Sequence, residues 1–504
     1  MNYSAEGIPF PERFRYGYTP EKGKKADLMF FQHMLAVTRP GGMVATVMPH
    51  GVLFRGGEEG RIRSGLLHDD AIEAVIGLGP QLFYGTGIPA CILILRPLDA
   101  KPGERKGKVL FINADREYRE GRAQNYLEPE HVEKILSAFR EFRDIPAFAR
   151  VVLRSELAKN DDNLNIRRYV DTTPPPEPQD VRAHLHGGIP KVEVDAKQAL
   201  FAAHGLVVQE LLIERDADYL EFVESVESSR QLKNLIEVDQ GVVLAETTVT
   251  EAIEQWWDAE RTRFDALKTT ADLVNLRQAL IGTFEAALKP ATMLDRFAVN
   301  GIIASWWGMA QPDLKALATI GYKGLIDAWV TTVLDALEEG KSKVDPLDHK
   351  IACALLPHYR QELATLEAEV TELDSAIKAA ISTDDEEDVG DAESTLSAAE
   401  IRKLKSKLIA TKKLFQAEKT AFAQRLTVAS ETLDTRAARS LVLDAFRGDI
   451  RHEADERVTR HRRELVAAFE TWWDKYKVTL NDLESQRDEA ALVLADFLKE
   501  LGYE

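Results

Sequence analysis

Apolar and polar positions alternate along the first 115 residues in the manner of an α/β layer. Ala26 to Thr38 carries apolar residues at helical spacing, and Met43 to Met48 is an almost wholly apolar run of strand length. A short polar helix is predicted from Glu58 to His68, and further apolar strands are predicted at 71–78, 88–95 and 109–112. Wholly apolar strands between helices predict a sheet that helices cover on both faces.

The pattern changes near residue 170. A helix is predicted over 128–143, and four prolines between Pro174 and Pro178 then predict an extended linker at 171–192. Beyond about residue 192 the sequence has helical periodicity and no convincing strand alternation. We therefore expect an α/β domain at 1–170 and a helical domain at 193–350, so that the fold class is α/β followed by all-α.

Heptad spacing predicts an antiparallel coiled-coil hairpin at 351–426, followed by a helical tail at 427–504. An acidic break at 384–391 separates the two arms of the hairpin. The seam positions are Leu363, Leu366, Val370, Leu373 and Ile377 on the first arm and Ile401, Leu404, Leu408, Thr411, Phe415 and Phe422 on the second. Two short seams can bury each other, so a solvated helix pair without a partner remains an alternative.

Composition excludes several classes of protein. The 504 residues are 45% hydrophobic and 29% charged, which excludes global disorder. No apolar run is long enough to span a membrane, and the first residues lack the features of a signal peptide, so a cytoplasmic protein is expected. Only Cys91 and Cys353 occur, which excludes a disulfide framework, and His184 with His186 lacks a third ligand, so no metal site is expected.

Charge is distributed unevenly along the chain. The net charge is −19, yet residues 1–190 carry 26 basic and 25 acidic side chains, whereas the remainder carries 38 and 58. A contact with nucleic-acid phosphates is therefore expected in the first part, and a role facing other proteins is expected in the second.

Several short motifs are more specific than the pattern. They are Phe31-Gln32-His33-Met34-Leu35, Pro49-His50-Gly51-Val52-Leu53-Phe54-Arg55-Gly56-Gly57, Leu82-Phe83-Tyr84-Gly85-Thr86-Gly87-Ile88-Pro89-Ala90-Cys91-Ile92-Leu93 and Asn163-Leu164-Asn165-Ile166-x-Arg168-Tyr169. Over about 10–175 the sequence resembles the modification (M) subunit of type I restriction–modification systems. The resemblance resumes from Trp472 to Tyr476 and through Leu498 to Glu504, which look like the closing helix of longer members.

The resemblance implies an adenine-specific DNA methyltransferase that uses S-adenosylmethionine and works with a specificity subunit and a restriction subunit. Residues 1–170 would then be the later strands of a class I methyltransferase sheet, and the tail would dock subunits. In that family a glycine loop for the cofactor and an Asn/Asp-Pro-Pro-Phe/Tyr tetrad precede the matched region. The chain contains no such tetrad, and Gly85-x-Gly87 lies between two strands rather than before a helix.

We therefore expect the C-terminal part of an M subunit, or one part of a split subunit whose separate partner chain carries the N-terminal half. The chain alone is expected to bind no S-adenosylmethionine and to be inactive, since the methyl donor and the flipped adenine would lack their binding groups. No catalytic residue is predicted within it.

Residues that could still contact DNA combine positive charge with aromatic rings. One group precedes the first helix, one follows the first predicted strand, and one lies in the connection between the next two strands. The candidates are Arg13, Arg15, Lys24, Lys25, Phe54, Arg55, Tyr84 and Thr86. The alternative is a set of charged surface loops that pack the helix starts.

Two other functions remain open at this point. One is a non-catalytic scaffold subunit of a phage-defence assembly, and the other is a coiled-coil interaction protein with no nucleic-acid role.

Overall fold

The computed structural model describes residues 4–22, 26–173, 176–339, 346–382 and 398–502. Lys24, Lys25, Pro174, Pro175 and the acidic break at 384–391 lie outside the described residues. The chain divides into two compact units. Unit 1 contains Met1–Glu254, Ile281–Gly308 and Glu453–Glu504, and unit 2 contains Gln255–Leu280 and Met309–His452.

Unit 1 begins with alternating helices and strands. The elements are α1 (Asp27–Val37), β1 (Val44–Pro49), α2 (Gly57–His68), β2 (Ile72–Leu78), β3 (Ala90–Leu95), β4 (Lys108–Ala114), α3 (Pro129–Glu141), β5 (Ala149–Leu153) and α4 (Arg154–Lys159). The helices and strands predicted up to residue 143 are all present, with ends that move by one or two residues.

The five strands form one mixed sheet in the order β1-β3-β2-β4-β5. Strands β1, β2 and β4 run in the same direction, and β3 and β5 run against them. Strand β1 lies at an edge of the sheet and pairs only with β3 among the described strands. Every residue of β2 is buried, as expected of a strand between two neighbours and two helical layers.

Apolar side chains of successive strand residues enter two different cores. On one face, Val75 and Phe111 pack with residues of α1 and α2, including Phe31 and Leu66. On the other face, Ile76 and its strand neighbours pack with α3. The two-residue periodicity of strands therefore explains why the central runs are apolar at nearly every position. The expectation that both faces of the first strand are covered is wrong, because Val44 and Met48 of β1 are buried but Ala45 and Val47 are exposed at the edge of the sheet. The expected α/β layer is confirmed.

The carboxyl ends of β1, β2 and β4 meet at one edge of this sheet, which we call the carboxyl edge. The register pairs Pro49 with Ala90 and Leu78 with Ala114, so the loops 50–57, 79–89 and 115–128 all leave from this edge. Ligands of open α/β sheets bind at such an edge. The opposite edge holds a buried carboxylate, Glu73, which accepts hydrogen bonds from Arg96 (2.6 Å) and Arg105 (2.9 Å).

Beyond residue 180 the chain is mostly helical, which confirms the expected fold class. The elements are α5 (Val181–His186), β6 (Ile189–Pro190), α6 (Lys191–His204), β7 (Leu212–Glu214), β8 (Tyr219–Phe222), α7 (Ser229–Val238), α8 (Gln240–Glu260), α9 (Asp272–Ala287), α10 (Arg296–Glu339), α11 (Lys350–Leu355), α12 (Pro357–Ser382), α13 (Ala398–Glu431), α14 (Thr435–Tyr476) and α15 (Leu480–Glu500). None of the helices described is long and apolar enough to cross a membrane.

The prediction that no strand occurs in the second part of the chain is wrong. Strands β6, β8 and β7 form a small antiparallel sheet where no strand was expected. These strands have two to four residues, which is too short for a visible alternation of apolar and polar positions. The sheet packs with α6 and the end of α14 through Phe201, Phe469 and Trp472.

In unit 2 the helices α12 and α13 pack against each other. Leu373, Ile377 and Leu408 are buried between them, with Val370 and Leu404 at the margin of the contact. These residues all belong to the predicted heptad seam. The predicted domain boundaries remain predictions.

Candidate nucleic-acid interface

The loop 79–89 projects Tyr84 from the carboxyl edge. The side chain of Tyr84 is 91% exposed, the highest value among the exposed large apolar residues described. A bridge between Phe83 and Thr86 closes the loop tip, and Gly85 occupies a left-handed conformation with φ of +75°. The Thr86 hydroxyl accepts a hydrogen bond from the Ile88 amide at 3.1 Å. A short turn therefore presents an exposed aromatic ring.

The glycines of this turn lie between two strands. The letters from Phe83 to Gly87 fit the pattern Phe-x-Gly-x-Gly, but the residues connect β2 to β3. A glycine loop that binds a nucleotide leads from a strand into a helix, whose first amides face the ligand. No helix begins after Gly87, and β3 starts at Ala90 instead.

The second loop of the carboxyl edge carries Phe54 and Arg55. Phe54 is 48% exposed. The Arg55 guanidinium lies 3.3 Å from a Glu59 carboxylate oxygen and 3.8 Å from one of Asp27, and it covers Gly51, where a Cβ atom would be 2.4 Å from it. Arg55 is thus folded back on its own loop, with about a third of its side chain exposed.

A buried arginine holds this loop in place. Arg63 of α2 is 5% exposed, and its guanidinium donates hydrogen bonds to three backbone carbonyl groups. The acceptors are Asp162 O at 2.8 Å, Arg55 O at 2.9 Å and Val52 O at 3.1 Å. Burial lowers the pKa of Arg63, and the nearby carboxylates of Asp162 and Glu59 oppose that change. Arg63 therefore joins the loop 50–57 to the segment that follows α4.

Two buried asparagines anchor the neighbouring loops. Asn125 donates from its side chain to Pro80 O at 2.9 Å and from its backbone to Gln81 O at 2.8 Å, which joins the loop 115–128 to the base of the Tyr84 loop. Asn113, at the end of β4, donates to Val170 O at 3.1 Å. Asn125 thus joins two loops of the carboxyl edge, and Asn113 holds the segment at Val170 against the end of β4.

His50 connects the first loop to the start of β3. Its Nε2 lies 3.0 Å from Ala90 O, and because a carbonyl only accepts, the histidine donates this hydrogen bond. Burial lowers the pKa of His50, which favours the neutral ring that can make this bond at neutral pH. The exposed Arg167 lies nearby and pairs with Asp115 at 3.2 Å.

The basic residues before α1 do not join this set as a whole. Arg13 bonds to His33 of α1 at 2.9 Å, and its guanidinium lies 5.2 Å from the Phe14 ring centre. Arg15 pairs with Asp69 at 2.7 Å, just beyond the last residue of α2. Since α2 spans twelve residues, or roughly 18 Å, Arg15 lies far from the loop 50–57 that precedes this helix. The structure therefore places the loops that carry Phe54, Arg55, Tyr84 and Thr86 at the carboxyl edge, whereas Arg15 lies at the far end of α2.

Sequence reasoning missed the anchoring residues. Another of them is Gln32, which is 1% exposed and whose side chain bonds to the backbone of Tyr16 and Gly17 at 3.0 and 2.9 Å. Gln32 belongs to a motif that the sequence analysis quoted, but no pattern indicated its partners. Among the described residues, no group of three His, Cys, Asp or Glu side chains is arranged to hold a metal ion.

Comparison with known proteins adds an independent finding. A family model described as N-6 DNA Methylase matches residues 1–177. The match covers about a third of the chain. It confirms the resemblance found in the sequence over residues 1–177, which we call the methylase segment.

The chain is similar to methylase subunits of type I restriction enzymes. The MjaVII methylase subunit of Methanocaldococcus jannaschii is 39% identical over 196 residues, which are 38% of this chain and 33% of that subunit. The MpnII methylase subunit of Mycoplasma pneumoniae is 30% identical over 204 residues, which are 40% of this chain and 36% of that subunit. The chain thus spans about a third of the length of these relatives.

A solved structure is similar to a comparable share of the chain. The methyltransferase subunit of a type I restriction-modification system from Streptococcus thermophilus is 40% identical, with a TM-score of 0.31. The match covers 34% of this chain and 36% of that one.

Proposed function

We propose that the chain supplies the DNA-facing loops and the later strands of a type I adenine DNA methyltransferase that acts with S-adenosylmethionine. The observation that carries the proposal is the carboxyl edge of a segment belonging to the N-6 DNA Methylase family, where buried anchors hold an exposed Tyr84 and the Phe54-Arg55 pair on adjacent loops. An exposed ring can stack on an unpaired base, and an arginine can contact a phosphate.

The complete reaction needs groups that this sequence does not carry. Methyl transfer to the adenine amino group requires a bound methyl donor and a polar group that orients the amine beside an aromatic ring. The family's tetrad for the second task is absent from the sequence, and the glycines at 85–87 do not stand before a helix. We therefore propose that the chain acts only together with a segment that provides both.

The free side of β1 is the place where that segment would attach. An edge strand with unpaired backbone groups accepts a further strand. Val47 on β1 is 50% exposed and Met43 just before it is 47% exposed, while Phe30 and Val37 on α1 are 51% and 65% exposed. We propose that a strand from outside the described sheet pairs with β1 and covers these residues, whether it belongs to the same polypeptide or to another.

The methylation assay that tests the interface uses the complex reconstituted with the specificity subunit and the complementary segment. Tyr84→Ala should weaken DNA binding by about tenfold to a hundredfold, because stacking on one base contributes about 1–3 kcal/mol. Arg55→Ala should lower methylation as well. The controls are Leu98→Ala, which removes an apolar side chain that is 57% exposed after β3, and Arg61→Ala on the exposed face of α2. Equal effects of the variants and their controls would contradict the proposal.

The last helix is proposed to dock the specificity subunit. Helix α15 has no buried residue, and its apolar side chains recur at helical spacing on an exposed face. Leu483 is 51% exposed, Leu494 59% and Phe497 58%. Leu494→Glu with Phe497→Glu should abolish co-purification of the specificity subunit, whereas Asp496→Ala on the same helix should not. Retention of the subunit by the double variant would contradict this docking site.

A non-catalytic scaffold subunit would share the docking surfaces but not the dependence on Tyr84. Sequencing the coding DNA upstream of Met1 separates the two functions, since a methyltransferase requires the missing tetrad and glycine loop to be encoded nearby.

A further inference from the structure

Helix α13 differs in charge from the chain around it. The helix carries eight basic and three acidic side chains, a net charge of +5, in a chain whose net charge is −19. Its neighbour α12 carries two basic and five acidic side chains. The acidic balance of the second part of the chain therefore conceals one strongly basic helix.

Part of this positive charge is compensated across the hairpin. Lys407 lies 2.7 Å from Glu369, and Lys412 lies 3.7 Å from Asp374. With 3.6 residues per turn, both lysines flank the seam that contains Leu408. The two ion pairs therefore help to hold α12 against α13.

Three of the remaining six basic residues lie on the face turned away from the seam. Arg402, Lys405 and Lys413 follow at intervals of three and eight residues, so they form one stripe, with Ile409 between them. All three are exposed, and Ile409 is 69% exposed, which shows that nothing described covers this stripe. Within the described parts of the chain, none of the three has a carboxylate within 4.0 Å.

The stripe has the charge and length that suit a nucleic-acid backbone. It extends over roughly 16 Å, at 1.5 Å per residue. Arg402 and Lys405 stand three residues apart, where like charges repel and destabilise a helix. A polyanion would remove that repulsion, and duplex DNA presents one phosphate for about every 1.7 Å of its axis. Long basic side chains can follow such a surface without reading base sequence.

We propose that the outer face of α13, defined by Arg402, Lys405 and Lys413, binds the phosphate backbone of duplex DNA without sequence preference. The proposal rests on the proposed function in one respect, namely that DNA is the ligand of this protein. It adds a second contact, in unit 2, to the interface at the carboxyl edge.

The test compares two double variants of the full chain that remove the same charge from the same helix. Lys405→Gln with Lys413→Gln removes two outer charges, and Lys407→Gln with Lys412→Gln removes two charges that are paired with α12. Affinity for a fluorescent duplex is measured by anisotropy over a range of salt concentrations. Circular dichroism must show the same helix content in both variants.

The outer double variant should lower the slope of log affinity against log salt by about two, at about 0.9 per phosphate contact. The fall in affinity between about 50 and about 200 mM salt should then be about tenfold smaller than for the unmodified chain. The paired double variant should keep most of the slope. Lys405→Arg with Lys413→Arg keeps the charge and should restore the unmodified slope.

Three outcomes would overturn the proposal: no duplex binding by the unmodified chain, no effect of the outer variant, or equal effects of the two glutamine variants. Binding to polyglutamate with the same dependence on Lys405 and Lys413, but not to DNA, would show that the face fits an acidic protein instead. A failure of the proposed function is distinguishable, because it would appear as unchanged DNA binding in Tyr84→Ala while the effect of the outer variant persists.

Discussion

Replacing Arg63 by methionine tests whether buried anchors organise the interface. The change keeps an unbranched side chain of good helix propensity but removes the guanidinium. Three carbonyl groups then lose their donor, namely those of Val52, Arg55 and Asp162. We expect the loop 50–57 to detach from the segment after α4 more often, because no described side chain replaces the arginine.

The size of the effect can be worked from these contacts. A buried acceptor that loses its donor costs about 1 kcal/mol at the low end, so three acceptors give about 3 kcal/mol. Burial of the guanidinium is itself unfavourable, as the lowered pKa of Arg63 shows, and methionine removes that cost. We therefore expect a net loss of about 1–3 kcal/mol, which corresponds to about tenfold to hundredfold more frequent opening.

Hydrogen exchange with mass spectrometry measures this opening directly. The Leu164 amide donates to Leu53 O at 2.9 Å and the Arg55 amide to Gly51 O at 3.0 Å, so both report on the closed loop. Arg61→Met is the matched control, since Arg61 lies on the exposed face of the same helix. Exchange in Arg63→Met that stays within about twofold of the Arg61→Met control would refute the reasoning.

Two further predictions concern buried charge in unit 1. Glu73→Leu should lower the free energy of unfolding of the sheet by about 3–5 kcal/mol, because it leaves Arg96 and Arg105 without their carboxylate. Glu104→Leu at an exposed site is the control, and equal melting temperatures of the two variants would count against this prediction. Burial and the adjacent His204 lower the pKa of His461 to about 4. As the pH falls, this histidine is therefore protonated below about pH 6.5 in the unfolded chain but only below about pH 4 in the folded chain. The free energy of unfolding should therefore decrease by about 1–2 kcal/mol as the pH is lowered through this range, a value that allows for the partial exposure of the ring. Hydrogen exchange of the α6 amides should vary less with pH in His461→Gln than in the unmodified chain. An equal pH dependence in the two proteins would be evidence against this prediction.

The sheet could be predicted from the sequence because a strand that is buried on both faces is apolar at nearly every position. The run from Ala90 to Leu95 is apolar at every position, and its alternate side chains enter the two cores. The run from Met43 to Met48 misled in this respect, since Val44 and Met48 are buried but Met43 and Val47 are about half exposed. The strands β6 to β8 could not be predicted in this way, since two to four residues are too few to show an apolar pattern.

The positions of the candidate residues could be predicted where these residues follow strands, but not where contacts join distant parts of the chain. Phe54 follows β1 and Tyr84 follows β2, and the register brings their loops to the carboxyl edge. Arg15 was a candidate because basic residues combine with aromatic rings before the first helix, yet its partner Asp69 lies beyond the far end of α2. Nothing in the sequence near Arg15 indicates that pairing.

Of the buried polar residues that hold the loops, one could have been predicted from the sequence and another could not. Arg63 stands three and four residues before Leu66 and Leu67, so helical spacing could have placed it on the buried face of α2, unlike Arg61. Asn125 had no comparable signal, because it lies in a loop and its partner Pro80 is 45 residues away. Tertiary contacts of single polar groups are not encoded by periodicity.

Calorimetric titration of the 504-residue chain with S-adenosylmethionine tests the central claim most directly. The claim is that these residues provide the later strands and DNA-facing loops of a methyltransferase but not its cofactor pocket. It predicts no saturable heat at ligand concentrations up to about 1 mM, the weak end of the affinity scale. Saturable binding in the micromolar range would contradict it.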